Sequence, residues 1–254
     1  MFTPTGASSL TRPSSDPAPQ APAAADLAQR LVALRAALPP TAQLLAVSKG
    51  QPAVRLRAAV AAGQRSFGES RLQEAVAKQA ELADLEPLDW HFIGRLQANK
   101  VRGVLGHFGT VHSVDSLALA RRMARIAAED GHSPAVFFQV KLRPDPGKTG
   151  FEPDALRACW PELAGLAPLR PLGLMTIAPQ GLDQGQRQAL FADCAALARE
   201  LGLQGLSMGM SGDWREALAA GSTWVRIGGG LFGTQPDNRS PQRLAITGMG
   251  RYSG

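Results

Sequence analysis

Short apolar runs alternate with amphipathic stretches along almost the whole chain, and this alternation restricts the available folds more than any other feature. The first apolar run, QLLAVS, follows LAQRLVALRAAL, whose apolar residues recur at helical spacing. AVRLRAAVAAG is helical and stops at Gly63, RSFGES reads as a strand, and RLQEAVAKQAELAD as the next helix. DWHFIG is then followed by QANKVRGVL, and TVHSVD by SLALARRMARIAAED with Gly131 as its cap. AVFFQVKL leads into a loop, RPDPGKTG, and a helix from Pro153. PLGLMTI, QRQALFADCAALARELG, GLSMGM, DWREALAAG and TWVRIGG complete the series, for eight strands in all.

Short apolar strands separated by helices pair in parallel and are covered on both faces. An open doubly wound sheet also satisfies this pattern, but eight repeats in about 210 residues favour a closed barrel. The expected fold class is α/β: a single (β/α)8 TIM barrel with an extra N-terminal helix from Asp26 to Leu38. The barrel is expected over residues 26–239, between a disordered tail, 1–25, and a C-terminal tail, 240–254. The first 25 residues hold five prolines and six alanines and are charged only at Arg12 and Asp16. They offer little to dock and lack the apolar centre of a secretory signal.

Composition removes several function classes. The chain's 254 residues are 44% hydrophobic and 19% charged, enough for one large core. Its 27 Lys and Arg against 21 Asp and Glu are spread out, without basic runs interleaved with aromatics, which argues against nucleic acid. No apolar run reaches transmembrane length. Cys159 and Cys194 lack metal or redox spacing and read as core thiols of a reducing compartment. The expectation is a cytoplasmic monomer, with no membrane or nucleic-acid partner.

In a barrel of this kind the site lies where the strands end at their C-termini. Those ends carry Lys49, Glu69, His91, Asp115, Lys141, Thr176, Ser211 and the run Arg226-Ile227-Gly228-Gly229-Gly230. Lys49 interrupts LLAVSKGQP at the end of an apolar strand. Held among apolar neighbours and other cations, such an amine loses proton affinity and becomes able to form a Schiff base. A solvated strand-end lysine would give the same sequence. The second feature is MSGDWREA followed by RIGGG after strands seven and eight. Ser211 offers a hydroxyl, Gly212 and Asp213 open a helix, and the glycines let backbone amides approach an anion. A Schiff-base lysine on strand one facing a phosphate cup on strands seven and eight suits pyridoxal 5′-phosphate (PLP). Of the histidines, His91 reads equally as a core or a functional residue, and His107, His112 and His132 show no metal-ligand spacing.

The runs AVSKGQP, FGESRLQEA, WHFIGRLQANK, GKTGF, GLMTI and LSMGMSGDWREALAAGSTWVRIGGGLFG resemble the pyridoxal phosphate homeostasis proteins, the YggS/PROSC family. The resemblance runs in unbroken order from Leu44 to Gly233. It implies a barrel of the alanine racemase N-terminal domain type that holds PLP as a Schiff base on Lys49. It also implies that Ser211, Gly228 and Gly229 hold the phosphate and that Arg226 lies near the pyridine nitrogen. Ser70 and Lys141 stand where the family usually has asparagine, so the pocket rim departs from the pattern.

An arginine at the ring nitrogen leaves the cofactor a poor electron sink, unlike the carboxylate of transaminases. The related racemases take a second base, a tyrosine, from an additional C-terminal domain, whereas the one tyrosine here is Tyr252. The expected function is thus PLP buffering and delivery to PLP-dependent apoenzymes, without catalytic residues or a metal. The alternatives are a racemase-like PLP enzyme of low activity and a Schiff-base aldolase that uses Lys49 without PLP.

Overall fold

The computed structural model describes residues 24–233, and they form the expected closed barrel. Helix α1 (Ala24–Ala36) precedes β1 (Gln43–Val47), so it begins two residues before Asp26. The rest of the 1–25 and 240–254 tails, and the barrel's expected end at 239, lie outside the described residues. There follow α2 (Ala53–Ala61), β2 (Ser66–Glu69), α3 (Leu72–Glu81) and β3 (Asp89–Phe92). QANKVRGVL divides into a 3₁₀ turn, Ala98–Lys100, and a short α4 (Val101–Leu105). Next come β4 (Thr110–Val114), α5 (Leu117–Asp130), β5 (Ala135–Gln139) and α6 (Pro153–Ala164). The last third holds β6 (Arg170–Met175), α7 (Gln184–Glu200), β7 (Gly205–Ser207), α8 (Trp214–Ala219), β8 (Trp224–Ile227) and α9 (Gly229–Phe232).

Local chemistry sets the helix ends. The Ser116 hydroxyl accepts the Leu119 N–H at the start of α5, and Gly131 closes that helix at φ 70°. At α7 the Asp183 carboxylate accepts from Gln186 N while the Gln186 side chain accepts from Asp183 N. Proline opens α6, where its missing N–H costs nothing.

Every strand pairs in parallel with the next in sequence, and β1 closes the ring against β8 through Leu45↔Arg226 and Ala46↔Ile227. Strand alternation then sorts the side chains. Val111, Val136, Phe138, Leu174 and Leu206 face outward into the layer beneath the helices. Burying each large apolar side chain contributes about 1.5–3 kcal/mol. The inward positions are more polar, with His91, His112, Ser207 and Arg226 buried around the rings of Phe137 and Trp224. Room for those rings comes from glycine. A Cβ on Gly205 would lie 2.9 Å from the Phe137 ring, and one on Gly173 would collide with Gly205 O.

Candidate functional site

Lys49 does not end β1; it occupies the turn immediately after it. Gln51 N donates to Ser48 O at 2.9 Å, and Gly50 takes φ 73°. That is the pattern of a type II turn, which requires a left-handed third residue and so favours glycine there. The Lys49 side chain is exposed, not packed among apolar neighbours as the sequence suggested. The turn fixes the backbone that carries it, and the chain on either side of it is held from α3. Lys78 Nζ donates to Ser48 O at 2.7 Å, and the Gly50 N–H donates to Glu74 Oε1.

Beneath the turn lies a buried polar cluster. Lys78 Nζ also reaches Glu69 Oε1 at 2.7 Å and Glu74 Oε1 at 2.6 Å, and the Ser48 hydroxyl donates to Glu69 Oε1 at 2.7 Å. Glu69 is fully buried, and its Oε2 has no partner among the described residues. Desolvation raises its pKa above the ordinary carboxylate value, against the opposing pull of Lys78 and Ser48. Sequence reasoning passed over Lys78, because a Glu–Lys pair four apart on a helix ordinarily marks a solvated face. The signal that was present is its register, which puts Lys78 on the same face of α3 as buried Ala75.

The register between β1 and β8 brings Gly228 beside this turn, and a Cβ on Gly228 would touch Val47. From the neighbouring loop Ser211 Oγ accepts the Gly230 N–H at 3.2 Å. A side chain at Gly229 would meet nothing within 4 Å, so the rim is open there. Asp213 sits at the N-cap position of α8, yet its carboxylate accepts from Met210 N at 2.6 Å, which folds the Met208–Ser211 loop back on itself. Lys49, Ser211, Gly228 and Gly229 thus share one edge of the rim.

Arg226 lies below that edge, inside the barrel. It donates through Nη1 to Ser207 O at 2.6 Å and Ser207 Oγ at 2.8 Å, and through Nη2 to Thr176 O at 2.9 Å. Burial lowers its pKa to about 10, still far above neutrality, so it is a fixed cation. An exposed amine, a hydroxyl, glycine amides and a buried guanidinium make a donor set suited to an aldehyde, a phosphate dianion and a ring nitrogen. The residues therefore fit PLP.

The remaining rim residues are engaged elsewhere or lie deeper. Lys141 pairs with Glu152 at 2.9 Å, and the Thr176 hydroxyl donates to Val140 O at 3.0 Å. His91 is not a strand-end residue: it is buried inside the barrel, bonded to His112 and Asp89. Cys194 is buried, with its thiol pushed up to about 12, and Cys159 is also a free thiol. Among the described residues no group of His, Cys, Asp and Glu could hold a metal, and no helix is long and apolar enough to cross a membrane. A cleft between Arg35, Pro39, Gln64 and Arg65 opens at the opposite end of the barrel, where Arg35 and Arg65 are already bonded to Gln64 and Glu86.

Comparison with known proteins agrees with the barrel fold. The alanine racemase N-terminal domain family matches residues 24–236. The pyridoxal phosphate homeostasis protein of Synechocystis sp. is 47% identical over 204 residues, covering 78% of this chain and 94% of the relative. The structure of PipY from Synechococcus elongatus with PLP bound matches at TM-score 0.79 and 53% identity, covering 82% of this chain and 100% of PipY. Alanine racemase of Clostridium difficile matches at TM-score 0.69 and 16% identity, over 86% of this chain and 59% of the enzyme, and shares the barrel alone.

Proposed function

This chain belongs to the alanine racemase N-terminal domain family and, within it, to the pyridoxal phosphate homeostasis proteins, and from that premise we propose that it holds PLP at the Lys49 rim as a carrier and not as an enzyme. The observation that carries the reading is the closure of β1 on β8, which sets the Lys49 turn beside the Gly228–Gly230 amides and Ser211. Bound PLP supplies an aldehyde able to condense with a lysine amine, and a phosphate that anchors it.

Each residue has a distinct part in this reading. Lys49 provides the amine, and its exposure leaves the site open to solvent and to whatever accepts the cofactor. Ser211 and the amides near Gly228 and Gly229 bind the phosphate through neutral donors. Arg226, pinned by Ser207 and Thr176, faces the ring nitrogen with a charge that it does not give up, so no proton reaches the ring from it. Such a site holds the cofactor without making it a strong electron sink. Recipients on this reading are cytoplasmic PLP-dependent apoenzymes, and the protein works as a monomer.

The test is an absorption spectrum of the protein loaded with PLP, before and after borohydride, together with turnover on a panel of L- and D-amino acids. A borohydride-sensitive visible band with no racemisation or decarboxylation supports the carrier. Turnover well above that of free PLP overturns it. A loaded protein without such a band overturns the Lys49 assignment.

A further inference from the structure

The barrel interior contains an unbroken line of hydrogen bonds that the rim chemistry does not use. It starts at the N-terminal end, where the half-exposed Asp89 carboxylate receives His91 Nε2 at 2.6 Å and the Ser66 hydroxyl at 3.1 Å. His91 Nδ1 meets His112 Nε2 at 2.8 Å, and His112 Nδ1 meets Ser207 Oγ at 2.7 Å. Ser207 Oγ in turn accepts from Arg226 Nη1 at 2.8 Å. Four strands, β3, β4, β7 and β8, each contribute a link, and all the links beyond Asp89 are buried.

Donor and acceptor chemistry gives this line a direction. Arg226 can only donate, and ionised Asp89 can only accept. With both imidazoles uncharged, His91 must carry its hydrogen on Nε2 to satisfy Asp89, which makes its Nδ1 an acceptor. His112 must then donate from Nε2, which makes its own Nδ1 an acceptor for the Ser207 hydroxyl. Every bond points from Arg226 toward Asp89, with a cation at one end and an anion at the other. The ends agree with this: burial opposes ionisation of Asp89, but the His91 imidazole outweighs it and holds the carboxyl below its ordinary value.

A proton taken up by His91 forces a reversal. Its Nδ1 then donates to His112 Nε2, so His112 must move its own hydrogen to Nδ1 and donate to Ser207 Oγ. Ser207 then receives two donors, His112 and Arg226, and can no longer act as the relay. His91 is faced by Asp89 on its own strand, His112 on β4 and the Trp224 ring on β8. His112 is faced by His91, Ser207, the Phe137 ring and, beyond Ser207, Arg226.

We propose that Asp89, His91, His112 and Ser207 are positioning residues that set how Arg226 is held beneath the rim, and that a proton arriving at the opposite end of the barrel changes that hold. The inference rests on the placement of the ring nitrogen at Arg226, but the chain itself can be read without any ligand.

The first arm is nitrogen NMR of ¹⁵N-histidine-labelled protein without PLP, with His91→Gln and His112→Asn used to assign those two imidazoles among the four histidines. At alkaline pH His112 is expected as the Nε2–H tautomer; on acidification it changes to Nδ1–H with the same midpoint as His91. In Asp89→Asn that midpoint moves to lower pH, because the carboxylate that accepts the His91 Nε2–H has lost its charge. An Nδ1–H tautomer at alkaline pH, or a His112 tautomer indifferent to His91, overturns the proposal. The second arm follows the visible band of PLP-loaded protein through the same titration. The band should share the midpoint, shift with Asp89→Asn, and lose that shift when Ser207→Ala cuts the line. A shift that persists in the Ser207→Ala background contradicts transmission through the line. If the tautomer switch is seen and no PLP band exists, the assignment of the rim to PLP has failed while the chain of bonds stands.

Discussion

Lys78 Nζ, on helix α3, donates to the backbone carbonyl of Ser48 at 2.7 Å, one residue before Lys49. With the Gly50 N–H bound to Glu74, the two charged residues of one helical turn hold both flanks of the Lys49 turn. The backbone that carries the exposed amine is therefore held by a largely buried ion cluster.

Removing Lys78 should accordingly damage stability and loading together. Lys78→Met leaves Glu69 and Glu74 without their shared partner, and breaking a buried pair from one side costs about 3–5 kcal/mol. Urea denaturation should show a loss of that order. The rate of PLP attachment, measured under conditions where the variant is still folded, should fall by about tenfold, equivalent to about 1.4 kcal/mol in the barrier. An unchanged attachment rate would mean that the turn holds itself.

Glu74 supplies a pH test of the same clamp. Desolvation pushes its pKa up, but Lys78, the Gly50 N–H and Arg71 outweigh this and leave it below 4.5. A carboxyl depressed in the folded state contributes stability above its unfolded pKa and loses it as pH falls through the folded value. Wild type should therefore be more stable than Glu74→Gln at neutral pH, with the gap closing below about pH 4.5. Thermal melts of both proteins across that range check the expectation.

His112 acts at higher pH. Burial, reinforced by His91 and Arg226, holds it well below the ordinary 6.5, so the folded state keeps it neutral while the unfolded chain takes up a proton. Its contribution is complete above about pH 6.5 and declines below it, by about 1.4 kcal/mol for each further pH unit. His112→Asn should lower stability at neutral pH and flatten the slope between about pH 6.5 and 5. Equal slopes in denaturant titrations would contradict the buried neutral imidazole.

Much of this architecture was legible from the sequence. Eight apolar runs with helices between them favoured the barrel over an open sheet, and SKG and RIGGG marked the rim where β1 and β8 meet. The interior was not legible. His91 and His112 sit on different strands, and nothing in DWHFIG or TVHSVD shows that both rings point inward until the strand register is known. Lys78 was hidden for a related reason, since its burial depends on α3 packing over the Ser48 turn. The expectation for Lys49 erred in the other direction. An apolar strand leading into a lysine suggested burial, but the turn at Gly50 carries the side chain out to the surface.

Ser211 offers a comparison that separates phosphate binding from general damage. A hydrogen bond to a charged group is worth about 1.5–3 kcal/mol, so Ser211→Ala should weaken PLP about tenfold to a hundredfold. Pyridoxal, which lacks the phosphate, should bind both proteins with nearly equal weakness in equilibrium titrations. An equal loss for both ligands would remove the phosphate from the Ser211–Gly230 rim.

The central claim is that Lys49 alone carries the cofactor, and the most direct measurement is peptide mass spectrometry of protein loaded with PLP and reduced with borohydride. The phosphopyridoxyl group should appear on the peptide containing Lys49, and Lys49→Ala should fold normally and yield no such adduct, because an exposed side chain can be removed without opening a cavity. A stoichiometric adduct on Lys78, Lys141 or another lysine, or an adduct that survives in Lys49→Ala, would contradict the account.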